Sequence, residues 1–169
     1  MIQTSTSTKS ETDVMSLMSC GMYLISVSDG IKDNGCIINS AIQITNEPVR
    51  IVFALGKRTY THKLLRKTGQ FNLCVLDKSV NPDLITRFGY ASGREKSKFD
   101  GLEECTRSAN GIYYLTNGSN AYMSFETVAL ADWDTHTLFT AKLTHAEILS
   151  SLPSLSYEVF QAGRRSFDT

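Results

Sequence analysis

The amino-acid sequence predicts a mainly β protein, a β-barrel capped by short helices. Several short runs rich in β-branched and aromatic residues are separated by Gly, Pro, Asn and Asp turn signals. Helical patterns are few and short. They do not alternate regularly with the strands, which makes an α/β sheet the weaker alternative. A chain of 169 residues, of which 41% are hydrophobic, suits one domain with a sizeable core.

The N-terminal third of the chain predicts one short helix and then three strands. Val14, Leu17 and Met18 stand at helical spacing behind Ser10 or Asp13 as a cap. The strands are predicted within residues 21–30, over 35–45 and over 49–55. An Asp29–Gly30 turn closes the first, and the sequence KDNG is the hairpin turn before the second. The strand over 35–45, GCIINSAIQIT, is unusual because amides and hydroxyls stand among its isoleucines.

The sequence from residue 57 onward predicts two helices, three strands and a loop. Residues 57–69 read as a helix that stops at Gly69, and residues 81–89 as a helix capped by Asn81 that stops at Gly89. The strands lie over 71–76, 121–132 and 135–149, and residues 90–101 form a cationic loop. By domain, we expect a disordered Ser/Thr-rich tail over 1–12, a folded domain over 13–157 and a short C-terminal tail over 158–169.

Charge, hydropathy and cysteine spacing argue against several classes of function. Lysine plus arginine equals aspartate plus glutamate at 17 each, which argues against a nucleic-acid partner. No apolar run is long enough to cross a membrane, and the N-terminus lacks the apolar core of a secretory signal. The four cysteines form no CxxC pair. We therefore expect a cytoplasmic protein with buried thiols and no metal site.

Four polar stretches remain, and none contains a common catalytic signature. They are the strand over 39–45, the sequence LGKRTYTH over 55–62, SGREKSKFDG over 92–101 and THTLF over 135–139. Their amides, hydroxyls and cations suit an anionic aromatic ligand, because a phosphate favours Lys, Arg and a helix N-terminus. Taken singly, each stretch also fits an edge strand, a solvated helix start or a solvated charge run.

The order of these motifs resembles the flavin reductase-like family. The pattern NGCIxNxxxQxTxxP, followed by GKRTYTH, RFG…SGR…KF and THTLF, covers about residues 21–157 and includes features of flavoredoxins and of the flavin domain of high-molecular-weight rubredoxin. The resemblance implies an FMN-binding split β-barrel of Greek-key type and a homodimer with the flavin near the subunit interface. It also implies NADH or NADPH as co-substrate, with electrons passed to flavin, iron or a redox protein.

The resemblance also implies site residues. The flavin ring and ribityl chain would be lined by Asn39, Ser40, Gln43 and Thr45. The ribityl-phosphate end would be held by Lys57, Thr61 and His62, with Gly56 where relatives have Asn. Lys98 would pair with the phosphate beside Phe99, and His136 would lie near the nicotinamide as the catalytic candidate.

Three functions stay open at this stage. The chain could be a nicotinamide-dependent flavin oxidoreductase, an electron carrier that keeps its FMN, or a non-redox ligand-binding module on the same fold. Turnover with reduced nicotinamide separates the first two, and FMN binding separates both from the third.

Overall fold

A computed structural model describes residues 14–15, 17–95 and 97–165. Within them the chain forms nine strands and three helices. The strands are β1 (Tyr23–Ser28), β2 (Asp33–Ile38), β3 (Ile42–Asn46), β4 (Val49–Gly56), β5 (Gln70–Leu76), β6 (Cys105–Arg107), β7 (Tyr113–Leu115), β8 (Ser119–Asp132) and β9 (His136–Ile148). The helices are α1 (Tyr60–Thr68), α2 (Pro82–Tyr90) and α3 (Tyr157–Arg165).

Seven strands build one sheet in the order β2-β1-β5-β8-β9-β4-β3, and every neighbouring pair is antiparallel. The strands β2 and β3 stand at the two ends of this order, and β6 pairs with β7 in a separate small sheet. The mainly β prediction with short helices is therefore confirmed. No helix in the described part of the chain is long and apolar enough to span a membrane.

The core consists of two clusters of buried side chains. In the first, Phe53 packs edge-on against Phe71 and parallel to Phe139, with ring centroids 5.0 Å and 5.4 Å apart. In the second, Phe88 of α2 and Phe99 pack against each other with centroids 4.9 Å apart. Aromatic rings at these separations bury large apolar areas and contribute pair energies beyond burial. The two clusters fix α1 and α2 on the sheet.

Helix α1 has clear start and stop signals. The Thr59 side chain caps it by accepting a hydrogen bond from the His62 backbone N–H at 3.1 Å. Gly69 ends it with a φ of 72°, and the Gly69 N–H bonds to the Leu65 carbonyl at 2.8 Å. Leu64 and Leu65 bury one face of the helix. The N-terminus of α1 is thereby held directly after β4.

The predicted strand over 35–45 is two strands in the structure, β2 and β3, separated by residues 39–41. Ser40 explains the break. Its hydroxyl donates to the Ala54 carbonyl and accepts from the Ala54 N–H, both at 3.1 Å. The Ser40 side chain therefore satisfies backbone groups of β4 that the backbone of a paired strand would otherwise bond. The hairpin turn before β2 lies at Asp29–Lys32, where the Asp29 N–H bonds the Lys32 carbonyl at 3.2 Å. It contains the predicted Asp29–Gly30 turn, whereas the prediction of KDNG as the hairpin turn is wrong, because β2 already begins at Asp33.

Three further elements differ from the sequence prediction. Strands β6 and β7 were not expected, and their short length gives almost no periodicity to detect. The short C-terminal tail is predicted over 158–169, and the structure has α3 over Tyr157–Arg165, anchored where the Tyr157 N–H bonds the Cys20 carbonyl at 2.8 Å. Helix α2 runs through Gly89 to Tyr90. The predicted N-terminal helix falls partly on residues 1–13 and 16, which lie outside the described residues.

Candidate functional site

A small polar cavity of about 240 Å³ lies at the N-terminus of α1, and we call it the Lys98 cavity. It is bounded by β2, by the start of α1, by the end of α2 with the following loop, and by Lys98 itself. Among its lining residues are Asn34, Cys36, Arg58, Thr59, Thr61, Gly93, Arg94 and Lys98. The fold therefore brings together Thr61 and Lys98, which the sequence analysis predicts as site residues.

Lys98 is a buried cation, only 7% exposed. Its ammonium donates to the carbonyls of Gly35 and Phe88 at 3.0 Å and 3.1 Å. No carboxylate in residues 17–95 or 97–165 forms an ion pair with it. Burial lowers the pKa of Lys98, because desolvation disfavours the charged form. An ammonium has three donors, so a bound anion would complete its coordination.

Asn34 is a buried amide with one unsatisfied atom. The residue is 1% exposed, and its Nδ2 donates to Thr61 Oγ1 at 3.3 Å. Its Oδ1 has no hydrogen-bond partner in the part of the chain that the structure describes. A Cβ added at Gly93 would lie 2.0 Å from that oxygen, so only glycine fits there. A buried polar atom without a partner costs free energy, which a hydroxyl or amide of a ligand would recover.

Three further features make the Lys98 cavity attractive to an anion. Helix α1 has no acidic residue in its first turn, and the free N–H groups of a helix start carry partial positive charge. Arg58 and Arg94 line the same cavity, and Arg94 Nη2 donates to the Arg58 carbonyl at 2.9 Å. Asn34 is not among the predicted site residues, because it falls in the predicted KDNG turn, although it is also the first residue of the pattern NGCIxNxxxQxTxxP.

A second, shallower depression of about 480 Å³ lies on the outer side of α1, and we call it the basic groove. It is lined by Lys57, Thr59, His62, Lys63, Arg66, Lys67 and Arg94. Thr59 and Arg94 line both the groove and the Lys98 cavity. The predicted residues Lys57 and His62 therefore stand beside the cavity that holds Thr61 and Lys98, and not within it.

His62 is fixed by a hydrogen-bond chain. Its Nε2 lies 2.8 Å from Thr137 Oγ1, and the Thr137 hydroxyl donates to Asp132 Oδ1 at 2.5 Å. Because that hydroxyl has one proton, the Nε2 of His62 must be the donor to Thr137. Asp132 in turn accepts from Arg66 Nη1 at 2.9 Å. Burial is the main cause that lowers the pKa of His62.

His136 and Gly56 face each other across the β4–β9 pair. A Cβ at Gly56 would lie 3.7 Å from His136 Nε2, in ordinary contact, so glycine leaves the imidazole uncovered. His136 is exposed, and its Nδ1 lies 2.8 Å from Thr135 Oγ1. The Lys57 N–H bonds the Thr135 carbonyl at 3.0 Å, which joins this edge of the sheet to the basic groove.

The other predicted site residues lie elsewhere. Gln43 Nε2 donates to Asn46 Oδ1 at 2.6 Å, and Thr45 Oγ1 donates to the Pro48 carbonyl at 2.5 Å, so both side chains bond within the β3–β4 turn. Asn39 lines a separate cavity of about 220 Å³ between β2, α2 and α3. Phe99 is buried, with its ring stacked 4.8 Å from that of Tyr113. In the described monomer, none of these four residues, nor Ser40, lines the Lys98 cavity or the basic groove.

Comparison with known proteins gives a consistent match. The family described as "Flavin reductase like domain" matches residues 15–163. The high molecular weight rubredoxin of Moorella thermoacetica is 30% identical over 92% of this chain and 67% of its own length. The ferric-chelate reductase (NAD(P)H) of Archaeoglobus fulgidus is 32% identical over 83% of this chain and 82% of its own length.

Solved structures share the fold at low sequence identity. The NADH:FAD oxidoreductase SgcE6 of Streptomyces globisporus superposes with a TM-score of 0.77 at 18% identity, covering 85% of this chain and 83% of that chain. An FMN-binding protein from Thermus thermophilus superposes with a TM-score of 0.76 at 18% identity, covering 93% of this chain and 91% of that chain. These superpositions support the barrel architecture that the resemblance implies.

Proposed function

The chain belongs to the flavin reductase-like family, and from this premise we propose that it is an FMN-binding oxidoreductase that takes a hydride from NADH or NADPH. Electrons then pass to free flavin, an iron chelate or a redox protein. The ferric-chelate reductase relative supports an iron acceptor, and the rubredoxin relative supports a protein acceptor. An electron carrier that retains its FMN is the second candidate, favoured by the same rubredoxin relative.

The observation that carries this proposal is the buried Lys98 ammonium, which has no carboxylate partner within the described residues. We propose that it binds the FMN phosphate together with the N-terminus of α1 and Arg58. Asn34 Oδ1 would accept a hydrogen bond from a ribityl hydroxyl, which satisfies its unpartnered oxygen. Lys57 and His62, in the adjoining groove, remain predicted contacts to the ribityl-phosphate end.

Bound flavin supplies the redox chemistry, as the acceptor of the hydride. The protein has to hold the nicotinamide against it, which is mainly a matter of position. His136 suits this role because it is exposed and is the first residue of β9, where it pairs with Gly56 of β4. The Thr135 hydroxyl next to Nδ1 restrains the orientation of the imidazole.

We also propose that the protein is a homodimer located in the cytoplasm. Large apolar side chains are exposed on β3 and near the end of β8: Ile42 at 63%, Ile44 at 49%, Val128 at 49%, Leu130 at 44% and Trp133 at 66%. A second copy packed over β3 would bring Gln43 and Thr45 to the interface, where the family resemblance puts the flavin. The four free cysteines fit a reducing compartment.

Absorbance spectroscopy tests the proposed function. We expect FMN titrated into the protein to bind, and its visible absorbance to bleach when NADH or NADPH is added without oxygen. In His136→Ala, bleaching followed by stopped flow should slow at least tenfold while FMN affinity stays within twofold. Bleaching of this variant at the wild-type rate would remove His136 from the site, and failure of the wild type to bind FMN would overturn the proposal.

A further inference from the structure

The basic groove carries more positive charge than its own carboxylates balance. Five cationic side chains line it: Lys57, Lys63, Arg66, Lys67 and Arg94. Two carboxylates pair with them. Asp132 lies 2.9 Å from Arg66 and 3.8 Å from Lys57, and Asp29 lies 2.8 Å from Lys67. These pairs leave an excess of three positive charges in one depression of a protein whose formal net charge is zero.

Lys63 is the clearest unbalanced charge. It is exposed, and its ammonium forms no ion pair with a carboxylate of the described residues. Arg94 has one nitrogen committed to the Arg58 carbonyl and has further donors available. Arginine and lysine arranged in this way suit phosphate groups, because charge-assisted hydrogen bonds to phosphate are strong.

The position of the groove indicates which phosphates it would bind. At one end, Lys57 bonds to Thr135, next to the proposed nicotinamide position at His136. On its inner side the groove shares Thr59 and Arg94 with the Lys98 cavity, which we assign to the FMN phosphate. A dinucleotide whose nicotinamide lies at His136 therefore has this groove beside it for its remaining phosphates.

We propose that the part of the basic groove around Lys63 binds the phosphates of the nicotinamide dinucleotide and that Lys63 selects NADPH over NADH, while Lys57 and His62 stay the predicted contacts to the ribityl-phosphate end. The inference rests on the proposed function and adds the choice of co-substrate. The two dinucleotides differ by one phosphate on the adenosine ribose, which carries about −1.5 to −2 charges at neutral pH by analogy with phosphorylated side chains. A groove with surplus positive charge therefore favours the phosphorylated form.

The test compares Lys63→Glu and Lys63→Ala with Lys78→Glu, an exposed lysine that borders neither the groove nor the Lys98 cavity. For the wild type with FMN, we expect kcat/KM to be at least tenfold higher with NADPH than with NADH. Lys63→Ala should lower this ratio about threefold and Lys63→Glu at least tenfold. Lys78→Glu should leave it unchanged.

A binding measurement serves as a readout that does not depend on turnover. Isothermal titration of the FMN-loaded protein should give at least tenfold tighter binding of 2′,5′-ADP than of 5′-AMP. Lys63→Glu should abolish that difference while FMN affinity stays within twofold. If FMN affinity falls with Lys63→Glu to the same extent, the groove belongs to the flavin phosphate and the inference is overturned.

The outcomes separate this inference from the proposed function. Oxidation of both dinucleotides with a ratio that Lys63→Glu leaves unchanged overturns the NADPH assignment and leaves the oxidoreductase intact. A protein that binds FMN and oxidises neither dinucleotide overturns the proposed function and, with it, the assignment of the groove.

Discussion

Lys98 is held by backbone carbonyls at a depth where cations normally have a carboxylate partner. Asn34, more than sixty residues away in sequence, has an oxygen at the same cavity that no described residue bonds. Two incomplete polar groups in one cavity are the basis for the proposed FMN phosphate contact, and single substitutions test it.

Lys98→Met should weaken FMN binding by about 1.5 to 3 kcal/mol, the range for a hydrogen bond to a charged group. Methionine keeps most of the side-chain volume and removes the charge. FMN fluorescence quenching gives the affinity, and the melting temperature of the FMN-free variant reports separately on folding. Unchanged FMN affinity in a folded variant would exclude Lys98 as the phosphate contact.

At the scale of elements, the β1–β2 hairpin is tied to the end of α1 through Asp29. The Asp29 Oδ1 accepts from the Ile31 and Lys32 N–H groups at 3.1 Å and 2.9 Å, and Oδ2 pairs with Lys67 at 2.8 Å. The Lys67 hydrogen bond is the main cause that lowers the pKa of Asp29 from 3.8 to about 2. One carboxylate thus fixes both the turn and the helix that bounds the basic groove.

Because the folded pKa of Asp29 lies below its ordinary value, the carboxylate stabilises the fold above pH 3.8 and loses this effect as the pH falls to about 2. Asp29→Asn should therefore lower the melting temperature at pH 7, and the difference from wild type should shrink between pH 4 and pH 2. Thermal melts across this range measure it. Glu103→Gln, at an exposed position, is the matched control and should show no such trend.

For the molecule as a whole, the notable surface feature is that β3 and β8 each expose large apolar side chains, which water solvates poorly. Val128 and Leu130 lie on β8, and Ile42 and Ile44 lie on β3, and the strand pairing shifts register at Val128 and at Ile44. Exposed apolar groups of this kind commonly mark an interface. The proposed homodimer would cover them.

Sedimentation velocity should give the mass of a dimer for the wild type and a shift towards monomer for Leu130→Glu, because a buried unpaired carboxylate is costly. Val159→Glu, on the exposed face of α3, is the control and should remain dimeric. A wild-type monomer at the concentrations used for enzyme assays would contradict the proposed assembly.

The amino-acid sequence alone was enough to predict most strands of the large sheet, the Gly69 end of α1, the Asn81 cap of α2, the balanced charge and the motif order that identifies the family. These depend on periodicity and on neighbours within a few residues. Three features became visible only in the folded chain. Ser40 bonds Ala54 of β4 and separates β2 from β3, residues 157–165 form a helix, and Lys98 lines one cavity with Asn34 and Thr61. Burial and charge balance depend on contacts between residues far apart in the chain, and no local pattern contains them.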